Sequence, residues 1–219
     1  MRQILTIVAH GLNVRVRTML KLPSDELLLG LSGSLASELI YRLCVAECAH
    51  LGFKLAEIDK LENPTKPGNC YIRVALPFNA EKSDYIPNSQ TIILVKASYI
   101  PLAQVQQQEI YGEYFDTFAS EHGAAYIIAS TRQKLDNSRT IDYQQKMPRE
   151  LPQQSGQAQG FDLDPRFYSR GKIRQWLAKH PSVQSWLLQT YASTERKIST
   201  GGGAARQNVS YSQRLQRPS

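Results

Sequence analysis

Hydrophobic and polar positions alternate most clearly near the start of the chain. In "NVRVRTMLKL" (13–22), Val14, Val16, Leu20 and Leu22 fall on one side and Arg15, Arg17 and Lys21 on the other. Period two predicts a half-buried strand. "QILTIV" before it predicts a partner strand across a turn at Gly11 and Asn13, and Pro23 ends the pairing. The period then lengthens. "SGSLASELIYRLCVAECAHLG" (32–52) predicts a helix with Ser34 as N-cap, a stripe of Leu35, Leu39, Leu43, Ala46 and His50, and Gly52 just past its end. Extended segments follow at 53–58, 70–78 and 90–100, divided by the turn-rich "ENPTKPGN" and "NAEKSDYIPNS". The unbroken "TIILV" predicts a central strand covered on both faces. A second helix is expected over 102–121, with a face of Val105, Ile110, Tyr111, Tyr114, Phe115 and Phe118, and a closing strand over 124–131.

This order predicts an α+β fold: a mixed, mainly antiparallel sheet with two helices on one face, in a ferredoxin-like arrangement over residues 1–131. Residues 132–160, rich in Gln, Pro, Ser and Gly, show almost no apolar period and read as a linker. A helical hairpin is expected over 161–195. Asp164–Pro165 would start its first helix, Ile173, Trp176 and Leu177 would be the buried side, and His180–Pro181 would break it. Val183, Trp186, Leu187 and Tyr191 would anchor the second helix. The glycines at 201–203 place a hinge in a flexible tail over 196–219.

Charge sharpens this division. The 219 residues carry a net charge of +7, distributed unevenly. Residues 1–130 hold 11 Lys/Arg against 13 Asp/Glu, whereas residues 131–219 hold 15 against 6. Such asymmetry points to a polyanion, an acidic protein surface or an anionic membrane as partner. Arg166, Arg170 and Arg174 recur at four-residue spacing, flanked by Lys172 and Lys179 and interleaved with Phe167 and Tyr168. Read as one helix face, they suit phosphate, and the rings suit unpaired bases. The alternative is a solvated basic helix with its aromatics buried. Arg196, Lys197, Arg206, Arg214 and Arg217 extend the field without an acid from Arg196 onward, and Tyr211 and Leu215 would let the tail dock on a protein.

Other features are less specific. Gly30 and Gly33 precede a helix as an anion site would, but no Lys-Ser/Thr follows them, and a turn with a cap explains them. Cys44 and Cys48, with His50 nearby, have a spacing open to a metal, yet no second cluster accompanies them, and core packing explains them better. Three cysteines without a framework spacing fit a reducing cytoplasm. No run of apolar residues is long enough to span a membrane, and no cofactor or metal is expected. The reading that follows is a non-catalytic subunit of a larger assembly. Its basic C-terminal third contacts nucleic acid, single-stranded RNA among the candidates, or a neighbouring protein subunit. One alternative is a metal-independent RNA endonuclease using His10 beside Arg15 and Arg17. Another is a membrane-surface adaptor presenting Trp176 and Trp186.

Overall fold

In the computed structural model, residues 25–53, 57–62, 70–77, 79–105, 124–147, 149 and 163–201 are described. The strands expected over 3–8 and 13–22, most of the helix expected over 102–121, and His10 lie outside them. So do the tail residues Arg206, Tyr211, Arg214 and Arg217. The elements in order are α1 (Asp25–Leu29), α2 (Gly33–His50), β1 (Glu57–Glu62), β2 (Cys70–Ala75), β3 (Gln90–Lys96), a 3-10 turn (Leu102–Gln104), β4 (Ala124–Ser130), α3 (Asn137–Lys146), β5 (Leu163–Tyr168), α4 (Arg170–Lys179) and α5 (Pro181–Gly201). The chain divides into two compact units, the first ending at Gln184 and the second beginning at Ser185. None of the described helices is long and apolar enough to cross a membrane.

The fold is α+β, as the sequence predicts, around a five-stranded mixed sheet. Its strands lie in chain order, β1-β2-β3-β4-β5. The pairs β1–β2 and β2–β3 are antiparallel; β3–β4 and β4–β5 are parallel. A ferredoxin-like sheet would interleave its strands, and this one does not. Antiparallel pairs therefore make up half the ladder rather than most of it.

Among the described residues helices cover both faces of the sheet; the helix expected over 102–121 lies mostly outside them. Ile92, Leu94, Tyr126 and Ile128 form one core cluster with Phe167 of β5 and Tyr143 and Met147 at the end of α3. The alternate residues Ile93, Val95, Ile127 and Ala129 are equally buried, and by the two-residue period they face the opposite side, where α2 packs on β2 and β3. The physical reason is visible in β4, buried at every position from Ala124 to Ser130. A strand apolar on both sides needs a layer on each.

Within α2 the cap is Ser32, not Ser34. Its hydroxyl accepts from Leu35 N at 3.3 Å. The buried stripe runs through Ala36, Leu39, Ile40, Leu43, Cys44, Glu47 and Cys48, so it is rotated from the one expected and contains an acid. Gly52 takes φ +84° just past the helix, where a side chain would be strained.

The stretch expected to be a linker carries α3. Asp136 caps it, its carboxylate accepting from Arg139 N at 2.8 Å. Tyr143 OH donates to Ile100 O at 2.9 Å and receives Gln133 Nε2 at 2.7 Å. Two buried side chains at i, i+4 hold the helix down, too few to register as a period. α5 likewise continues to Gly201, past the expected start of the tail at 196, so Arg196 and Lys197 fall within a helix.

Candidate nucleic-acid interface

The carboxyl ends of the three parallel strands run into turns stitched to one another. Thr131 N donates to Lys96 O at 3.2 Å, and Arg170 N donates to Gln133 O at 2.8 Å. This end of an open sheet is where ligand-binding side chains collect, because each strand there hands over to a helix or loop. Cations collect here. Arg174 Nη1 lies 3.0 Å from Asp25 Oδ1, while Lys134 Nζ and Arg170 Nη2 lie 3.7 and 3.8 Å from Asp25 Oδ2. Arg132, also exposed, donates from Nε to Ala97 O at 3.2 Å. The side chains of Lys134 and Arg174 are 75% and 50% exposed, and that of Arg170 only 10%. Exposed ion pairs are weak and screened by salt, so Asp25 orients these groups without cancelling their field.

The basic residues singled out from the sequence do not form one stripe. Asp164–Pro165 starts no helix: residues 163–168 are β5, at the sheet edge, where proline's missing N–H costs no ladder bond. Arg166 therefore stands on a strand, clamped by Asp164 through Nε–Oδ1 and Nη2–Oδ2 contacts of 2.9 Å each. The guanidinium pKa is raised first by that hydrogen bond. Arg170 and Arg174 do share a helix face, on α4. Phe167 and Tyr168 are core residues, 2% and 3% exposed, so neither can stack on a base. Lys172 and Lys179 converge on the Tyr85 ring, with Nζ 4.7 and 4.8 Å from its centroid. Tyr85 in turn stacks on Trp176 at 5.1 Å. Trp176 is fully buried, which removes one of the two tryptophans the membrane adaptor needed.

The residue that sequence reasoning missed is Glu47. It is 3% exposed, yet its Oε2 accepts from Trp176 Nε1 at 2.8 Å and lies 2.7 Å from His180 Nε2. Burial pushes its carboxyl pKa up, but hydrogen bonds from His180, Ser83 and Trp176 together outweigh that and hold it below the ordinary value. A glutamate–histidine pair can move protons, but this one is walled in by aromatic rings; what it does here is pin α4 to α2. A lone acid inside an apolar helical stripe was the available signal. Cys44, Cys48 and Cys70 are free thiols in the core. Burial, then the neighbouring Glu47 charge, raises the Cys48 thiol to about 11. Among the described residues no three His, Cys, Asp or Glu side chains could jointly hold a metal.

A second feature also escaped the sequence. A cleft of about 260 Å³ opens at the β5–α4 junction, lined by Arg166, Ser169, Gly171, Lys172, Asp84 and Gln144 among others. Reading Asp164–Pro165 as a helix start had placed Gly171 inside a helix rather than at its mouth.

No protein-family model and no curated protein sequence matches the chain. A solved structure described as the DNA modification-dependent restriction endonuclease AspBHI is similar over 78% of this chain and 43% of its own, at 12% identity and a TM-score of 0.31. The chain thus spans less than half the length of that structure, and a likeness of this grade carries no argument about function.

Proposed function

We propose that the chain binds nucleic acid through the carboxyl edge of its parallel strands, as a non-catalytic subunit of a larger cytoplasmic assembly. The observation that supports this reading is the gathering of Lys134, Arg170 and Arg174 around the single carboxylate of Asp25, with Arg132 beside them. Arginine forks and a lysine spread along one edge suit the repeating charge of a phosphate backbone. The surplus of base over acid in residues 131–219 supports it on a coarser scale. Free buried thiols accord with a reducing compartment.

The test replaces the three exposed cations together, Arg132→Gln, Lys134→Gln and Arg174→Gln, and follows affinity for single-stranded RNA and DNA against salt. Each lost phosphate contact should reduce the log–log slope by about 0.7, so the triple variant should lose about 2 units. A wild-type protein that binds neither single strand nor duplex at about 50 mM salt overturns the reading, since non-specific phosphate binding is strong there. An acidic protein subunit released by the same triple variant would take its place.

A further inference from the structure

We propose that the cleft at the β5–α4 junction is a seat for a phosphate monoester. None of the edge cations Arg132, Lys134, Arg170 and Arg174 lines it.

The first turn of α4 has donors to spare. Arg170 N is taken by Gln133 O, and Ile173 N closes the first turn on Ser169 O at 3.0 Å. Among the described residues the N–H groups of Gly171 and Lys172 find no acceptor, as is usual for N-terminal amides without a cap. Ser169 stands at the N-cap position, where a serine hydroxyl ordinarily accepts one of them, but it makes no such bond. Ser169 is 5% exposed as a residue and lines the cleft, and its hydroxyl makes no capping bond to α4. A serine hydroxyl and two first-turn amides on residues that line one cavity suit an acceptor with several oxygens.

Gly171 points the same way. Its φ is not in the left-handed region, and a Cβ there would meet only Ser169 Oγ, at an ordinary 3.7 Å. The fold thus has no need of glycine at this place, and a helix disfavours it. A bare Cα does allow a ligand to approach the backbone closely. Lys172 brings positive charge to the walls, Arg166 stands there paired with Asp164, and Asp84 brings a carboxylate. That carboxylate accepts from a hydroxyl or amine carried on the ester side, a contact beyond those made to the phosphate oxygens. A monoester therefore fits better than inorganic phosphate. Such a group comes from a free nucleotide or from the phosphorylated end of a strand.

The experiment titrates the full chain with inorganic phosphate, AMP, a 5′-phosphorylated tetranucleotide and its 5′-hydroxyl twin, by calorimetry. Wild type should bind AMP or the phosphorylated strand in preference to inorganic phosphate and the 5′-hydroxyl strand. Saturation by AMP assigns a free nucleotide; saturation by the strand alone assigns a strand end. Gly171→Ala should weaken that binding at least about tenfold, the scale of one hydrogen bond to a charged group. Its melting temperature should be no lower than that of wild type. Ser169→Ala should weaken binding too, and decides the matter if Gly171→Ala proves unstable. The triple variant at Arg132, Lys134 and Arg174 should bind AMP as wild type does, which separates this seat from the edge. Wild type binding neither phosphorylated probe, or both seat variants binding them like wild type, overturns the proposal.

Discussion

Glu47 and His180 lie 133 positions apart in the chain and 2.7 Å apart in the fold, both buried. Between them they fasten the end of α4 to α2, with the Trp176 indole on the same carboxylate oxygen. A charge in such a place is tolerable only while its partners stay.

Glu47→Gln should therefore destabilise the fold by about 1–3 kcal/mol at pH 7, the range for an unsatisfied buried group. The sign with pH follows from the depressed carboxyl pKa. Stability from Glu47 is fully present above its unfolded value, near ~4.3, and is lost as pH falls through the lower folded value. The gap between wild type and variant should thus shrink below about pH 4. Urea unfolding at neutral and acid pH measures both; a gap independent of pH would show that the carboxylate is not held ionised.

Tyr143→Phe removes the hydroxyl that links α3 to Ile100 and Gln133. A loss of about 1 kcal/mol is expected, a fall of roughly 2–4 °C in melting temperature for a chain this size. No change would mean that α3 contributes little to the unit, as the sequence had suggested.

Asp25→Asn should tighten nucleic-acid binding several-fold at low salt, because Lys134 and Arg174 lose their carboxylate but keep their positions on turn and helix. Arg174→Gln should act oppositely. Fluorescence anisotropy with a labelled single strand reads both; weaker binding by Asp25→Asn would show that the carboxylate's ordering effect outweighs its charge.

Cys48 should resist thiol reagents in the native protein. With its pKa near 11, only about one molecule in a thousand carries a thiolate at pH 8, and the residue is 2% exposed. Ellman's reagent should label Cys44, Cys48 and Cys70 together, at the rate of unfolding. Rapid labelling of Cys48 alone would reveal an opening of α2.

The legible parts of this fold are those whose signal is local. β2, β3 and β4 follow from unbroken apolar runs, and α4 from Ile173, Trp176 and Leu177 together with its break at His180–Pro181. α3 was hidden because Ile141, its most apolar residue, faces solvent at 54% while Tyr143 alone within the helix is buried. β5 was hidden because Asp164–Pro165 obeys helix-start rules that the sheet edge overrode. Of the candidate site, Arg170 and Arg174 could be placed on one face from spacing. That Asp25, some 149 positions away, would sit opposite Arg174 could not. Glu47 was unreadable for the same reason: its partners are distant in sequence.

The sequential strand order has a consequence for how the chain is made. A ribosome releases β1 through β5 in the order in which they sit side by side, so each strand can join an edge already present. Glu47 emerges early and its partner His180 late. At ~5–20 residues per second, the carboxylate waits roughly 7–27 s for the imidazole. Until then a nascent chain must leave that acid in water or bury it unpaired, so the α2 layer cannot close dry. Translation stalled before Trp176 would leave Glu47 without both the indole and the imidazole that satisfy its carboxylate.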